Sequence, residues 1–309
     1  KIHLFASGRS EGTEIRFRGR DCKVQNIENA DFSNIDIALF SAGKEVSTKY
    51  APLAVKNGCI VIDNGSYWRM NGNVPLVVPE VNPEAVKNHH GLIANPNCST
   101  IQLVVALKPV ENNFGLNRVV VSTYQSISGA GQKGIDKLKR ELYEGPYSGK
   151  VGDHPIAFNT IFHEISDPSG FSVEEIKMKD EIRKIIDMPD LRIAVTCVRL
   201  PVLGGHGESV NIETKKKISL TALRKVLKSA QSIVILDIPK KEIYPTTLHA
   251  NNKDVVFIGR LRIDDSVENG AYLWIVADNV RKGAATNAVQ IAELIAKDNL
   301  LAFEQIDFE

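Results

Sequence analysis

A chain of 309 residues with 43% hydrophobic and 24% charged side chains is long enough for about two domains and needs no disulfide or metal staple. Its net charge of +1 argues against nucleic acid or an anionic membrane as the main partner, and its apolar runs, such as 101–107, are too short to span a bilayer. The four cysteines (Cys22, Cys59, Cys98, Cys197) form no CxxC pair, so no metal site is expected and a reducing, cytoplasmic compartment is.

The chain opens on a strand-like run with no signal-peptide pattern, and this abrupt start raises the expectation of a segment upstream. Short apolar runs follow at 2–6, 35–43, 59–66, 75–81 and 91–96, each ending in or followed by Gly, Ser, Asn or Pro. Between two of them, "KEVSTKYAPLAVKNG" (44–58) predicts a helix closed by Gly58. Short buried strands alternating with helix and loop predict a Rossmann-like, doubly wound parallel sheet. Ligands bind such sheets at the carboxyl ends of the strands. Ser7, Arg9, Ser41 and Asn95 follow strand-like runs, and the expectation is that they line one crevice.

From Ser99 the pattern changes. "STIQLVVALKPV" predicts a helix with Ser99 or Thr100 near its start, followed by a strand at 117–128 and a helix at 133–145. Residues 146–171 read as loop and 172–186 as an amphipathic helix. Strands follow at 192–200 and 208–215, a helix at 220–230, strands at 255–263 and 271–277, and a closing helix at 282–299. Polar and apolar residues alternate in "RIAVTCVRL" and "SVNIETK", as in an antiparallel sheet with one open face. The prediction is therefore α/β: a Rossmann-like domain, then an α+β domain with a mainly antiparallel sheet, with the boundary near Cys98.

A lone cysteine is more often a small core residue than a nucleophile, by roughly four to one. "NPNCST" shifts that balance, because it sets the Cys98 thiol after a turn and before a helix, whose first amides favour a thiolate. A thiolate nucleophile needs a base. His206 stands among glycines in "PVLGGHGES", whereas His89 and His90 lie in a polar, solvated-looking loop. "GAGQKG" (129–134) matches G-x-G-x-x-G but lacks a βαβ context, and Glu141 is too close to act as the ribose acid; it reads as a tight turn beside the site. "ASGRS" (6–10) offers hydroxyls and a guanidinium suited to a phosphate, or else an exposed polar turn. Glu174 and Lys177 stand one helical turn apart, the usual spacing of a surface ion pair. Arg69 and Arg199, in apolar surroundings, suit carboxylate or phosphate.

Taken together, "NPNCST", "YQSISGAG", "PIAFN" (155–159), "EEIKM", "CVRLPVLGGHGES" and "GAATNAVQIAE" resemble the aspartate-β-semialdehyde dehydrogenase family over essentially the whole chain. Other acyl-phosphate reductases share the architecture but not this cysteine context. The resemblance implies reduction of L-β-aspartyl phosphate by NADPH through a cysteine thioester, in lysine, threonine and methionine biosynthesis. It implies Cys98 as nucleophile, His206 as acid/base and Gln125 as the residue orienting the acyl group or nearby water. Arg199 would hold the substrate α-carboxylate and Glu174 its amino group, with Arg69, Asn97 and Lys177 on phosphate. For NADP it implies Ser7, Arg9 and Ser10 at the 2′-phosphate, Ser41, Ala42 and Gly43 along the cofactor, and Gly129 and Asn287 at the nicotinamide end. It further implies a homodimer or dimer of dimers. The domains implied are 1–97 with 284–309 for NADP, and 98–283 for catalysis and dimerisation.

The family's opening strand and G-x-x-G-x-x-G turn do not precede Lys1. Without that turn NADPH binding is expected to fail or weaken. The intact thiol, histidine and arginines favour an incompletely recorded enzyme over a binding or regulatory relative that cannot turn over. The segment 143–155 is short for the family, and Lys44-Glu45 stands where smaller residues are common.

Overall fold

The computed structural model describes residues 1–145 and 154–308. The first apolar run forms β1 (Leu4–Ala6), followed by β2 (Glu14–Phe17) and β3 (Arg20–Asn26), with β1 parallel and β2 antiparallel to β3. β2 and β3 meet at Arg18 and Gly19, both at positive φ, the geometry of a two-residue hairpin. Sequence periodicity missed this hairpin because β2 is exposed on both faces.

A second parallel sheet, β4 (Ile37–Phe40), β5 (Ile60–Asp63) and β6 (Leu92–Ala94), stands apart from the first, so the expected single sheet exists as two three-stranded pieces. Among the described residues no strand pairs with both. α1 (Lys44–Lys56) makes the β4–β5 crossover, and Gly58 closes it at φ +85. The run 75–81 is not the expected strand. Val74, Leu76, Val77 and Val78 are buried, but only an isolated bridge from Leu76 to Ala94 forms; its apolarity serves the core, not a ladder.

α2 (Cys98–Phe114) begins at the cysteine itself, since the Asn97 side chain accepts from the Ser99 and Thr100 amides and caps the helix. Next come β7 (Leu116–Gln125), α3 (Gly131–Glu144), β8 (Ile161–Phe162), α4 (Val173–Ile186), β9 (Arg192–Arg199) and β10 (His206–Thr214). α5 (Leu220–Ser229), β11 (Ile233–Ile235), α6 (Thr247–Ala250), β12 (Val256–Asp264), β13 (Gly270–Ala277) and α7 (Thr286–Lys297) complete the order. β8 interrupts the predicted loop 146–171, and β11 was not foreseen; each is too short to show a period. Residues 146–153, most of the segment short for the family, lie outside the described residues.

Seven strands form one sheet in the order β11-β12-β13-β10-β7-β9-β8. The β7–β9 and β11–β12 pairs are parallel and the other four antiparallel. α2 lies across one face, where Val210, Ile212, Val119 and Val121 are buried beneath it. α7 packs on the first half of the chain, with Ile291 and Ile295 against Ile60, Ile62 and Ile93. His89, expected to be solvated, is instead buried: its Nδ1 accepts from the Gly91 amide, so Nε2–H donates to Leu300 O at 3.0 Å and ties down the C-terminal segment. Among the described residues no helix is long and apolar enough to cross a membrane.

Candidate active site

A cavity of about 700 Å³ opens between the carboxyl end of β4 and the start of α2. Cys98 lines it from the first position of α2. Gly283 backs onto the cysteine so closely that a Cβ there would lie 3.0 Å from the Cys98 Cβ. Gly283 sits in a single π-type turn, Arg281–Ala285, of the kind often found at functional sites. The turn is anchored by Lys282, which is fully buried and donates to both Glu80 carboxylate oxygens at 2.8 Å and to Gln290 at 2.7 Å.

The sheet supplies the facing wall. The register sets Gln125 opposite Arg199 and His206 opposite Ala277, and the Gly207–Tyr124 pairing carries His206 opposite Gln125. One cross-strand row thus presents Arg199, Gln125 and His206 to α2. The His206 ring is fully buried. The Ser126 amide donates to its Nδ1 at 3.1 Å, so the neutral ring carries its proton on Nε2. Asn279 Oδ1 accepts from the Ser126 and Ser128 hydroxyls and the Gly205 amide, which locks both loops around the ring. Nε2 has no protein partner. A Cβ at Gly129 would lie 3.5 Å from Nε2 and 3.4 Å from Arg199 Nη1, so the glycine leaves the approach to both open.

Electrostatics qualify the expectation of a helix-activated thiolate. Burial pushes the Cys98 thiol up to about 12 and Glu174 adds to the shift; Arg69 and the Ser99 amide, the first turn of the helix, oppose it and lose. Burial likewise drives His206 down from 6.5 to about 4, against the pull of Glu174. Both the Cys98 thiol and the His206 imidazole are therefore held in their neutral forms.

Glu174 is the hub of the polar floor. Its Oε1 accepts from Asn97 Nδ2 at 2.8 Å and Gln125 Nε2 at 3.2 Å, and Lys177 Nζ stands 3.9 Å from Oε2. Burial raises this carboxyl, but His163, Asn97 and Lys177 outweigh it and hold it below its usual range. Gln125 Nε2 also reaches Ser99 Oγ at 3.0 Å. Arg199 lines the cavity and donates to Ser126 O at 2.9 Å. Arg69 lines it too, but is held by Gly65 O, Asn64 O and a buried 3.0 Å ion pair to Glu181. Three of its five N–H groups are then used. The other Glu181 oxygen accepts from the Asn97 amide at 2.7 Å, tying Arg69 to the turn before Cys98.

The structure thus gathers Cys98, Gln125, Glu174, Lys177, Arg199, Arg69, Asn97, Ser41 and Gly129 around one cavity, with His206 directly behind Gly129. It does not bring all the predicted residues there. Ser7, Arg9 and Ser10 form an exposed 3-10 turn after β1, apart from the cavity wall, and Ala42 and Gly43 lie just beyond Ser41 without lining it. Asn95 and Asn287 are buried and face each other, with Asn287 Nδ2 donating to Asn95 Oδ1 at 2.7 Å; neither lines the cavity. Sequence reading missed Gly283, Ser126, Asn279 and Glu181, each of which acts through a partner distant in sequence.

The cavity suits a nucleotide cofactor at its far end. Leu39, Phe40 and Ser41 close the carboxyl end of β4, and Ala284, Ala285, Ala288 and Val289 offer small side chains opposite. Gly129 and Gly283 both line the cavity, Gly283 against Cys98 and Gly129 against Arg199 and His206. Among the described residues no His, Cys, Asp and Glu group could hold a metal.

A thiol, a buried imidazole and two fixed arginines beside a nucleotide-sized cavity define a thiol-dependent dehydrogenase. The NAD-binding domain of the semialdehyde dehydrogenases matches residues 1–89, and their dimerisation domain matches 107–282. An aspartate-semialdehyde dehydrogenase of Aquifex aeolicus is 51% identical over 97% of this chain and 91% of its own length, and one of Bacillus subtilis is 46% identical over 97% and 90%. The crystal structure of aspartate semialdehyde dehydrogenase II from Vibrio cholerae complexed with ASA aligns with TM-score 0.91 at 46% identity, covering 96% of this chain and 90% of that one. That of the Candida albicans enzyme with NADP shares the fold, with TM-score 0.76 at 24% identity, over 97% and 92%.

The chain belongs to the aspartate-semialdehyde dehydrogenase family. It is an NADP-dependent phosphorylating dehydrogenase that interconverts aspartyl phosphate and aspartate semialdehyde. It acts on a small-molecule substrate and carries the dimerisation domain of the family.

Proposed function

We propose that the reaction runs through a thioester on Cys98. His206, whose Nε2 has no hydrogen-bond partner and lies behind Gly129, takes part in removing the thiol proton as the acyl phosphate docks. The sulfur attacks the acyl carbon, the carbon–oxygen bond to phosphate breaks, and phosphate leaves with the negative charge. NADPH, when bound, supplies the hydride that releases the aldehyde and returns the sulfur. His206 then restores a proton to the thiolate. Gln125, fixed through Nε2 by Ser99 and Glu174, orients the acyl group.

Arg199 holds the substrate α-carboxylate by a planar fork and Glu174 its amino group. Arg69, with two N–H groups left, joins Lys177 and the Asn97 amide at phosphate. Ser7, Arg9 and Ser10 take the NADP 2′-phosphate, Ser41, Ala42 and Gly43 run along the cofactor, and Gly129 bounds its nicotinamide end, with Asn287 bracing Asn95 behind the cavity wall. Residues 1–97 with 284–309 form the NADP domain and 98–283 the catalytic and dimerisation domain. The uncovered face of the seven-stranded sheet, with Tyr124, Trp274 and Phe162 partly exposed, buries itself in a homodimer or a dimer of dimers. The setting is cytoplasmic biosynthesis of lysine, threonine and methionine.

The observation that carries this reading is Cys98 at the first position of α2, between Gly283 and the row of Arg199, Gln125 and His206. Phosphate-dependent reduction of NADP⁺ with aspartate semialdehyde tests it: turnover that needs phosphate and Cys98 is expected, and turnover independent of either overturns it.

A further inference from the structure

One row beneath the catalytic one, the same sheet face carries a carboxyl that the mechanism above does not use. Glu208 stands two residues beyond His206 on β10, so both side chains point toward α2. Its neighbours across the strands are Thr123 of β7 and Ile275 of β13, and Thr123 in turn faces Cys197 of β9. All four residues are completely buried. Neither Glu208 oxygen has a hydrogen-bond partner. From α2, Gln102 lies against it, four residues and one turn beyond Cys98; this amide is buried, its Oε1 has no partner, and its Nε2 donates to the His206 carbonyl at 3.4 Å.

An ionised carboxylate in that position would be costly. It accepts only, and Gln102 is the one polar side chain that favours its charge. The titratable groups facing it are Cys98 from α2, Cys197 from β9 and His206 from its own strand; the residues facing it from β7 and β13, Thr123 and Ile275, do not ionise. Two of these groups are thiols that a negative charge would push further from ionisation, and none is a lysine or arginine. A protonated carboxyl is a donor, and Gln102, whose side chain lies against it, has in Oε1 an acceptor without a partner.

We propose that Glu208 is a positioning residue that works as an uncharged acid: protonated, it pairs with Gln102 and keeps the layer beneath Cys98 and His206 free of negative charge while the thiolate forms. Gln102 passes the effect on at both ends, through its hydrogen bond to the His206 carbonyl and through the first turn of the helix that begins at Cys98. Burial as the dominant influence on Glu208, raising it well above the usual carboxyl range, agrees with this state. The proposal rests on Cys98 as the reactive thiol, but its test does not need turnover.

The experiment follows the alkylation of Cys98 by iodoacetamide against pH, without substrate or cofactor, in the wild type, Glu208→Gln and Glu208→Leu, with the Cys98 peptide quantified by mass. The wild type and Glu208→Gln are expected to coincide through neutral pH. In turnover, Glu208→Leu, which strands Gln102, loses about tenfold in kcat, the equivalent of one hydrogen bond, with little change in KM. Glu208→Gln, neutral and of the same shape, restores most of that loss. Faster alkylation of Glu208→Gln at neutral pH, or a Glu208→Gln enzyme as impaired as Glu208→Leu, would each overturn the proposal. Failure of phosphate-dependent turnover in the wild type would overturn the reading of the site instead, and the alkylation curves would still decide the state of Glu208.

Discussion

The turn before Cys98 and the turn Ser7–Ser10 are built to different standards. Around Cys98, the turn, the arginine and the ring are held in place: Asn97 caps α2, Glu181 grips both Arg69 and the Asn97 backbone N–H, and Ser126 fixes the His206 ring, while His206 Nε2 stays without a partner. At the turn Ser7–Ser10, the serines and Arg9 are exposed and their side chains bond to nothing else among the described residues. Under the proposed reading the difference follows from the chemistry asked of each. Acyl transfer needs atoms held in fixed positions before the substrate arrives. A 2′-phosphate needs only a positive charge and hydroxyls that can fold onto it.

This contrast orders the effects of mutation. Cys98→Ala removes the nucleophile from the rigid end, so turnover should fall by at least about a thousandfold with the fold intact, read by initial rates and circular dichroism. Retained activity would remove Cys98 from the mechanism. Glu181→Ala leaves Arg69 buried and unpaired, and urea unfolding should show a loss of about 3–5 kcal/mol. A much smaller loss would mean that the rigid end does not depend on this pair.

His206 gives the same end a pH signature. Folding holds it near 4 against the ordinary 6.5, so the unfolded chain binds more protons between those values. Its contribution is therefore fully present above pH 6.5 and is lost as pH falls toward 4, by roughly 3 kcal/mol. His206→Asn should flatten the stability–pH curve in that window, and an unchanged curve would contradict the burial argument. Arg199→Lys keeps the charge but not the fork, and should raise KM for aspartate semialdehyde by about tenfold or more, with kcat less affected. The loose end should respond least: Arg9→Ala is expected to raise KM for NADP⁺ by a few-fold to about tenfold and leave that for NAD⁺ unchanged. An equal effect on both cofactors would move Arg9 away from the 2′-phosphate.

Much of the rigid end was legible in the sequence because its residues sit at element ends marked by turn chemistry. "NPNCST" signals the start of α2, and the glycines of "GGHGES" and "SGAG" signal close approach. What joins those pieces was not legible. The strand register that sets Arg199, Gln125 and His206 in one row, and the Lys282–Glu80 clamp behind Gly283, link residues far apart in the chain. Burial was also invisible, so the thiol that the helix start alone would acidify is in fact held high. His89 misled for the same reason, as a polar loop residue that the C-terminal segment covers. Asn287, in a family-like motif, spends its amide on Asn95 and Val77 O instead of on the cavity.

The most direct measurement is the mass of the enzyme after brief exposure to β-aspartyl phosphate without NADPH. The account predicts one aspartyl group per chain, on the Cys98 peptide, removed by NADPH with release of the semialdehyde and absent from Cys98→Ala. An adduct on another residue, or substrate turnover with no adduct on Cys98, would contradict it.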